Sequence, residues 1–185
     1  PSLSQLARRY RATLTQRELM QYAPSISIDG RSQDDVIYGS NYGDYLRGWN
    51  GNDYLDGQGG SDRLEGGTGS DTYIFGRGYG ADFIADYDYA AGYTDILRFG
   101  EGIAVDDLDV TVDSNSVYIR IKGTEDKLTV YDWNGWNESS RIEQVELADG
   151  TTIDLLGLAH ISPGTEDNDI LFTGNSNDVL FGRGG

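Results

Sequence analysis

Five aspartates, Asp35, Asp44, Asp53, Asp62 and Asp71, recur at nine-residue intervals, and each is followed two positions later by a bulky residue: Ile37, Leu46, Leu55, Leu64 or Tyr73. A carboxylate set among backbone carbonyls offers only oxygen donors, the set preferred by a hard cation such as calcium. From Gly48 to Ile74 the period reads as three consecutive units, GWNGNDYLD, GQGGSDRLE and GGTGSDTYI, with glycine at positions 1 and 4 and aspartate at position 6. Two looser copies precede them, GRSQDDVIY from Gly30 and GSNYGDYLR from Gly39, in which Gln33 and Tyr42 occupy position 4. Repetition at a fixed period is the mark of a repeat architecture.

The elements that must position these carboxylates follow from the period. Glycine tolerates left-handed or crowded backbone, so six residues can bend sharply and aim their carbonyls at one point. The last three residues of each unit form a short strand whose single inward residue fills a thin core. Two units complete one coil, which puts turns on the same side eighteen residues apart: Asp35, Asp53 and Asp71 along one edge, Asp44 and Asp62 along the other. A cation between stacked turns would neutralise carboxylates that otherwise repel. A flexible Gly/Asp-rich linker shares this composition. It has no reason to hold phase over five units.

The three units from Gly48 resemble the GGxGxDxUx repeats (U, a large apolar residue) of the RTX family, with Trp49 and Gln58 standing at the second glycine. RTX proteins are secreted bacterial proteins whose repeats form calcium-bound parallel β-rolls. The resemblance implies that each calcium takes carbonyls from positions 2 and 4 plus the aspartate of one turn, with carbonyls from positions 1 and 3 plus the aspartate of the turn eighteen residues on. That assigns one site to Trp49, Gly51 and Asp53 with Gly66, Thr68 and Asp71. A second would use Ser40, Tyr42 and Asp44 with Gly57, Gly59 and Asp62, and a third Arg31, Gln33 and Asp35 with Gly48, Asn50 and Asp53. Sites drawing on the first two units are expected to be weaker, because Gln33 and Tyr42 replace glycine. The family's exit through a type I secretion apparatus implies an extracellular location and that apparatus as a partner of the full-length protein.

Composition is consistent with this. The 185-residue chain has a formal charge of −17, 26 glycines, one methionine and no cysteine. So acidic a balance argues against nucleic acid as a partner and predicts self-repulsion that divalent cations relieve. No disulfide can hold the fold. No stretch reads as a membrane span, and Pro1 opens no signal-peptide pattern. The chain stops at Gly185 partway into a repeat, so a piece of a longer protein is expected.

The expected fold class is all-β: a calcium-binding parallel β-roll with a short N-terminal helical cap, then an antiparallel β capping domain and the start of a second β-roll. The boundaries are 1–24, 25–75, 76–158 and 159–185. In the first segment Leu3, Leu6, Ala7, Tyr10 and Leu14 recur at helical spacing, and Thr15 with Glu18 forms a capping-box pattern ahead of Pro24. Its basic face suits a membrane or partner contact, but a lid that lays its apolar stripe on the open end of the roll is favoured. Beyond Ile74 the phase breaks in FGRGYGADFIADYD; there Asp82 is expected to close a site with Asp62 through a turn two residues longer, Asp86 or Asp95 to serve the Asp71 edge, and Asp88 to be solvated. Residues 94–155 alternate as strands separated by turn signals and resemble, more loosely, a domain found beside RTX arrays. GTEDNDILF and TGNSNDVLF place Asp169 and Asp178 in a second array.

Catalysis finds little support. His160 is the single histidine, and neither a GxSxG elbow nor an HExxH helix is present. The chain is therefore not expected to be an enzyme. The expected function is a calcium-binding module that folds outside the cell and supports secretion and integrity of a larger toxin or adhesin. The alternative is a glycan- or surface-binding module that uses the aromatic cluster of Tyr131, Trp133, Asn134, Trp136 and Asn137, with Trp133 expected in the core and Trp136 exposed, and the roll as scaffold.

Overall fold

A computed structural model describes residues 15–88, 92–112, 116–131 and 142–153. The first fourteen residues of the helical segment, the Trp133–Asn137 aromatic loop, His160, and Asp169 and Asp178 of the second array lie outside the described residues.

Thr15 opens helix α1 (Gln16–Met20) with the expected capping box: its side chain accepts the Glu18 amide while the Glu18 carboxylate accepts the Thr15 amide at 2.7 Å. The repeat then alternates strands between two sheets. One receives β1 (Ser27–Asp29), β3 (Tyr45–Asn50), β5 (Arg63–Thr68) and β7 (Ala81–Ala85). The other receives β2 (Val36–Tyr38), β4 (Tyr54–Asp56), β6 (Thr72–Phe75) and β8 (Asp95–Phe99). All of these neighbours pair in parallel, with Ile28 beside Leu46 beside Leu64 beside Ile84 in the first sheet and Ile37 beside Leu55 beside Tyr73 beside Leu97 in the second. The residue two after each aspartate thus becomes one rung of a continuous inner ladder.

The strands that follow do not stand apart. A 3₁₀ turn (Val105–Asp107) leads into β9 (Leu108–Val112), β10 (Ser116–Ile121) and β11 (Lys127–Tyr131), which pair antiparallel with one another. β11 then joins β7 in parallel, and β12 (Ile142–Glu146) joins β8 in parallel before β13 (Thr152–Ile153) turns back along it. Among the described residues antiparallel pairing is therefore confined to β9–β11 and β12–β13, and the roll's two sheets grow to seven and six strands. One apolar cluster runs from Ile37 through Tyr73, Phe75 and Phe99 to Leu147 without a break.

The stripe expected to form the lid, Leu3 to Leu14, lies outside the described residues, and helix α1 follows it. None of the helix's residues is buried, and it is fastened by charge: Arg17 Nε donates to Asp56 Oδ2 at 2.6 Å, and its guanidinium also donates to the Tyr79 hydroxyl at 2.8 Å. Asp56 is wholly buried although it holds position 9, which the repeat pattern assigns to solvent. The reason is Arg17, which covers that carboxylate and balances it. Gln58 completes the attachment, donating from Nε2 to the Arg17 and Gly39 carbonyls at 3.1 and 2.6 Å. Its backbone sits at φ 65°, the left-handed region that favours glycine, so these side-chain bonds offset a strain that the motif avoids with its second glycine.

Candidate metal centre

The turns bring the repeat aspartates into the two predicted stacks. Along one edge the Asp35 amide donates to Asp53 Oδ1 at 2.8 Å, the Asp53 amide to Asp71 Oδ1 at 2.7 Å, and the Asp71 amide to Asp95 Oδ1 at 2.8 Å. Along the other, the Asp44 amide donates to Asp62 Oδ1 at 2.8 Å and the Asp62 amide to Asp82 Oδ1 at 2.9 Å. Asp82 lies twenty residues beyond Asp62, in the lengthened turn expected for it. Main-chain bonds join the same turns: Asn50 to the Arg31 carbonyl, Gly59 to that of Ser40, and Gly51 to that of Thr68. Those carbonyls keep a second lone pair. Gly51 shows why position 4 matters: its φ is 128°, and a Cβ there would press into the Gln33 carbonyl group.

The second carboxylate oxygen separates strong turns from weak ones. In the first two units it is satisfied: Asp35 Oδ2 accepts the Arg31 amide at 2.7 Å, and Asp44 Oδ2 accepts the Ser40 amide at 2.5 Å. In the later turns Oδ2 of Asp53, Asp62, Asp71 and Asp82 is buried and has no hydrogen-bond partner among the described residues. These four side chains belong to residues no more than 2% exposed. The first glycine of each well-formed unit makes room for that oxygen, since a Cβ on Gly48, Gly57 or Gly66 would collide with the carboxylate of Asp53, Asp62 or Asp71.

Such an arrangement is costly without a cation. Burial, with neighbouring carboxylates adding to it, pushes Asp62 up to about 7 and Asp71 and Asp82 up to about 8, and raises Asp53 as well. An unpaired buried charge is strongly unfavourable. Orphaned carboxylate oxygens beside backbone carbonyls form an all-oxygen donor set, so the residues present fit calcium.

Four acidic residues beyond the repeat close the two edges. Asp86 and Asp95 meet Asp71 at the end of one edge, with carboxylate oxygens of all three within 4.8 Å of one another. Asp88, expected in solvent, is 2% exposed, because it folds back to accept the Gly69 amide of the Asp71 turn at 3.2 Å. On the other edge Asp126 caps the last turn by accepting the Gly78 and Gly80 amides at 2.9 and 2.8 Å. Burial acts to raise the Asp126 carboxyl, but those two amides, Thr124 and Arg77 outweigh it and hold it low. Sequence reasoning missed Asp126, because no period links it to a turn that lies nearly fifty residues earlier.

Residues 29–64, 50–81 and 163–185 match the RTX calcium-binding nonapeptide repeat, and residues 117–155 match the haemolysin-type calcium binding protein related domain. Over 114 residues, 60% of its length, the chain is 37% identical to the iron-regulated protein FrpA of Neisseria meningitidis serogroup C, and it spans 10% of that protein. Among solved structures, the AlgE6R3 subunit of the Azotobacter vinelandii mannuronan C5-epimerase is similar at a TM-score of 0.45 and 20% identity, covering 85% of this chain and 91% of its own. The extracellular lipase LipA of Serratia marcescens is similar at a TM-score of 0.35 and 21% identity, over 66% of this chain and 21% of its own.

Proposed function

The chain is an RTX, haemolysin-type calcium-binding repeat protein, and we propose on that premise that its roll is a calcium-dependent folding element of a larger secreted bacterial protein. One observation carries the reading: the buried, unpartnered Oδ2 atoms of Asp53, Asp62, Asp71 and Asp82. Bound calcium supplies the positive charge that those oxygens lack. Asp53 and Asp71, with the carbonyls of Trp49, Gly51, Gly66 and Thr68, would hold one ion. Asp62 would serve the opposite edge, with Asp44 on one side and Asp82 on the other. The turns of Asp35 and Asp44 contribute less, because backbone amides already satisfy their carboxylates.

In the cytosol, where calcium is scarce, the stacked carboxylates repel and the narrow core does not offset chain entropy. The unfolded chain suits passage through the narrow channel of a type I secretion apparatus. Outside, calcium at roughly millimolar levels lies within the range of weak extracellular sites and couples binding to folding. In the parent protein, a toxin or adhesin, the roll then acts as a structural element. Calorimetric titration with calcium tests this: Asp53→Asn is expected to raise the half-saturating concentration roughly tenfold, about 1.4 kcal/mol, and Asp35→Asn much less. Equal effects, or none, would overturn the reading.

A further inference from the structure

We propose that the apolar stripe of the N-terminal segment, Leu3, Leu6, Ala7, Tyr10 and Leu14, docks on the outward face of the sheet built from β2, β4, β6, β8 and β12, as a strap across that sheet rather than a lid on the open end of the roll. This goes beyond the calcium reading, since it concerns a sheet face and not the turns.

Residues 1–14 lie outside the described residues, but the place where they join the described chain is fixed. Arg17 holds Asp56 on β4 and Tyr79 between β6 and β7, while the other end of α1 leads through the buried Ala23 into β1 at the edge of its sheet. The N-terminal end of α1 therefore points away from the open edge, toward β4 and β6. Thr15 is extended and caps the helix, so the residues before it leave on a new line rather than prolonging α1.

Side chains alternate across a strand, so the neighbours of the inner ladder face outward. On this sheet the apolar ones are Val36, Tyr38, Tyr54, Ile74 and Ile96, with Tyr38 and Tyr54 meeting edge to face at 6.1 Å. Val36, on the edge strand, is 58% exposed; Ile74, beside Asp56 and apart from the inner cluster, is only 8% exposed. Shelter is thus deepest where the N-terminal segment joins. The outward face of the other sheet differs in kind. There Arg47 stacks on Tyr45 and Trp49 at 4.8 and 5.1 Å, and Arg63 on Tyr45 and Phe83 at 5.7 and 5.0 Å, so cations already engage its aromatic rings.

Length and charge fit the same occupant. Fourteen residues of helix span about 21 Å, and the three strand spacings from β4 to β12 span about 14 Å. Residues 1–17 carry four arginines and no acidic residue in a chain of formal charge −17, and β12, on the far side of the face, contributes Glu143 and Glu146. Arg8, Arg9 and Arg11 lie off the apolar stripe, so the stripe can meet the sheet while the arginines meet the acidic surround.

The chain has no cysteine, so a single introduced one carries a nitroxide to a chosen place. Amide NMR spectra of the whole chain in saturating calcium compare labels at Thr72→Cys on the proposed face, Thr129→Cys on the outward face of the other sheet, and Ser27→Cys at the open edge. The amides of Leu6, Ala7 and Tyr10 are expected to lose most of their intensity with the Thr72 label and to keep it with the other two. Ile96→Cys, one strand on, is expected to give the same loss and decides the matter if Thr72→Cys does not fold. Adding Leu6→Asp to the labelled chain should restore the signals. Intensity kept with the labels on the proposed face, a greater loss with the Ser27 label, or a loss that Leu6→Asp leaves unchanged would each overturn the proposal.

Discussion

Asp53 uses its two carboxylate oxygens differently: Oδ1 accepts the Asp35 amide, and Oδ2 is buried with no donor among the described residues. The nine-residue period alone made the stacking of aspartates legible, because each turn repeats the same bend. It could not tell which oxygen lacks a partner. That depends on whether an amide of the same turn swings onto Oδ2, as those of Arg31 and Ser40 do in the turns whose position 4 is Gln33 or Tyr42. A pH dependence follows at this scale. Burial lifts Asp62 to about 7 and Asp71 and Asp82 to about 8, so the metal-free roll binds these protons more tightly than the unfolded chain does. Their contribution to metal-free stability is complete below about pH 4 and is lost as pH rises through about 7 to 8. In chelator, circular dichroism is therefore expected to show roll structure at about pH 4 that is lost by about pH 8. A flat profile over that window would contradict the assignment.

At the scale of elements, α1 and the inner ladder carry separate predictions. Arg17 covers a fully buried Asp56 carboxylate while its own side chain is 47% exposed. Arg17→Ala should cost about 1–3 kcal/mol, the range for a buried polar group left without its partner, and Asp56→Asn in the same chain should recover part of the loss. Thermal melts in saturating calcium check both. If Arg17→Ala melts like wild type, α1 is not fastened through this pair. The capping box of α1 was readable because Thr15 and Glu18 are local. Its polar attachment was not, since the partner lies thirty-nine residues on and the repeat template places position 9 in water. On β5, Leu64 is 1% exposed and is the one apolar side chain this strand gives to the core. Leu64→Ala is expected to cost about 2–5 kcal/mol, a large share of the 5–15 kcal/mol typical of a domain.

At the scale of the whole molecule, the roll and the strands after it share one core and two sheets, joined where β11 meets β7 and β12 meets β8. Alternation in residues 94–155 foretold strands, but strand pairing across that distance leaves no periodic trace, and so the parallel junctions stayed hidden. A chain ending at residue 88 would leave the outer edges of β7 and β6 unpaired, because β11 and β8 cover them. It is expected to need several-fold more calcium to fold and to aggregate more readily; calcium titration followed by light scattering checks this. The central claim is that calcium binding and folding of this roll are one event. Far-UV circular dichroism of the whole chain during a calcium titration from chelator tests it most directly. At about pH 8, where those carboxylates are ionised, the account predicts little β signal in chelator and a cooperative gain as calcium approaches the roughly millimolar range. Full β structure in chelator, unchanged by added calcium, would contradict it.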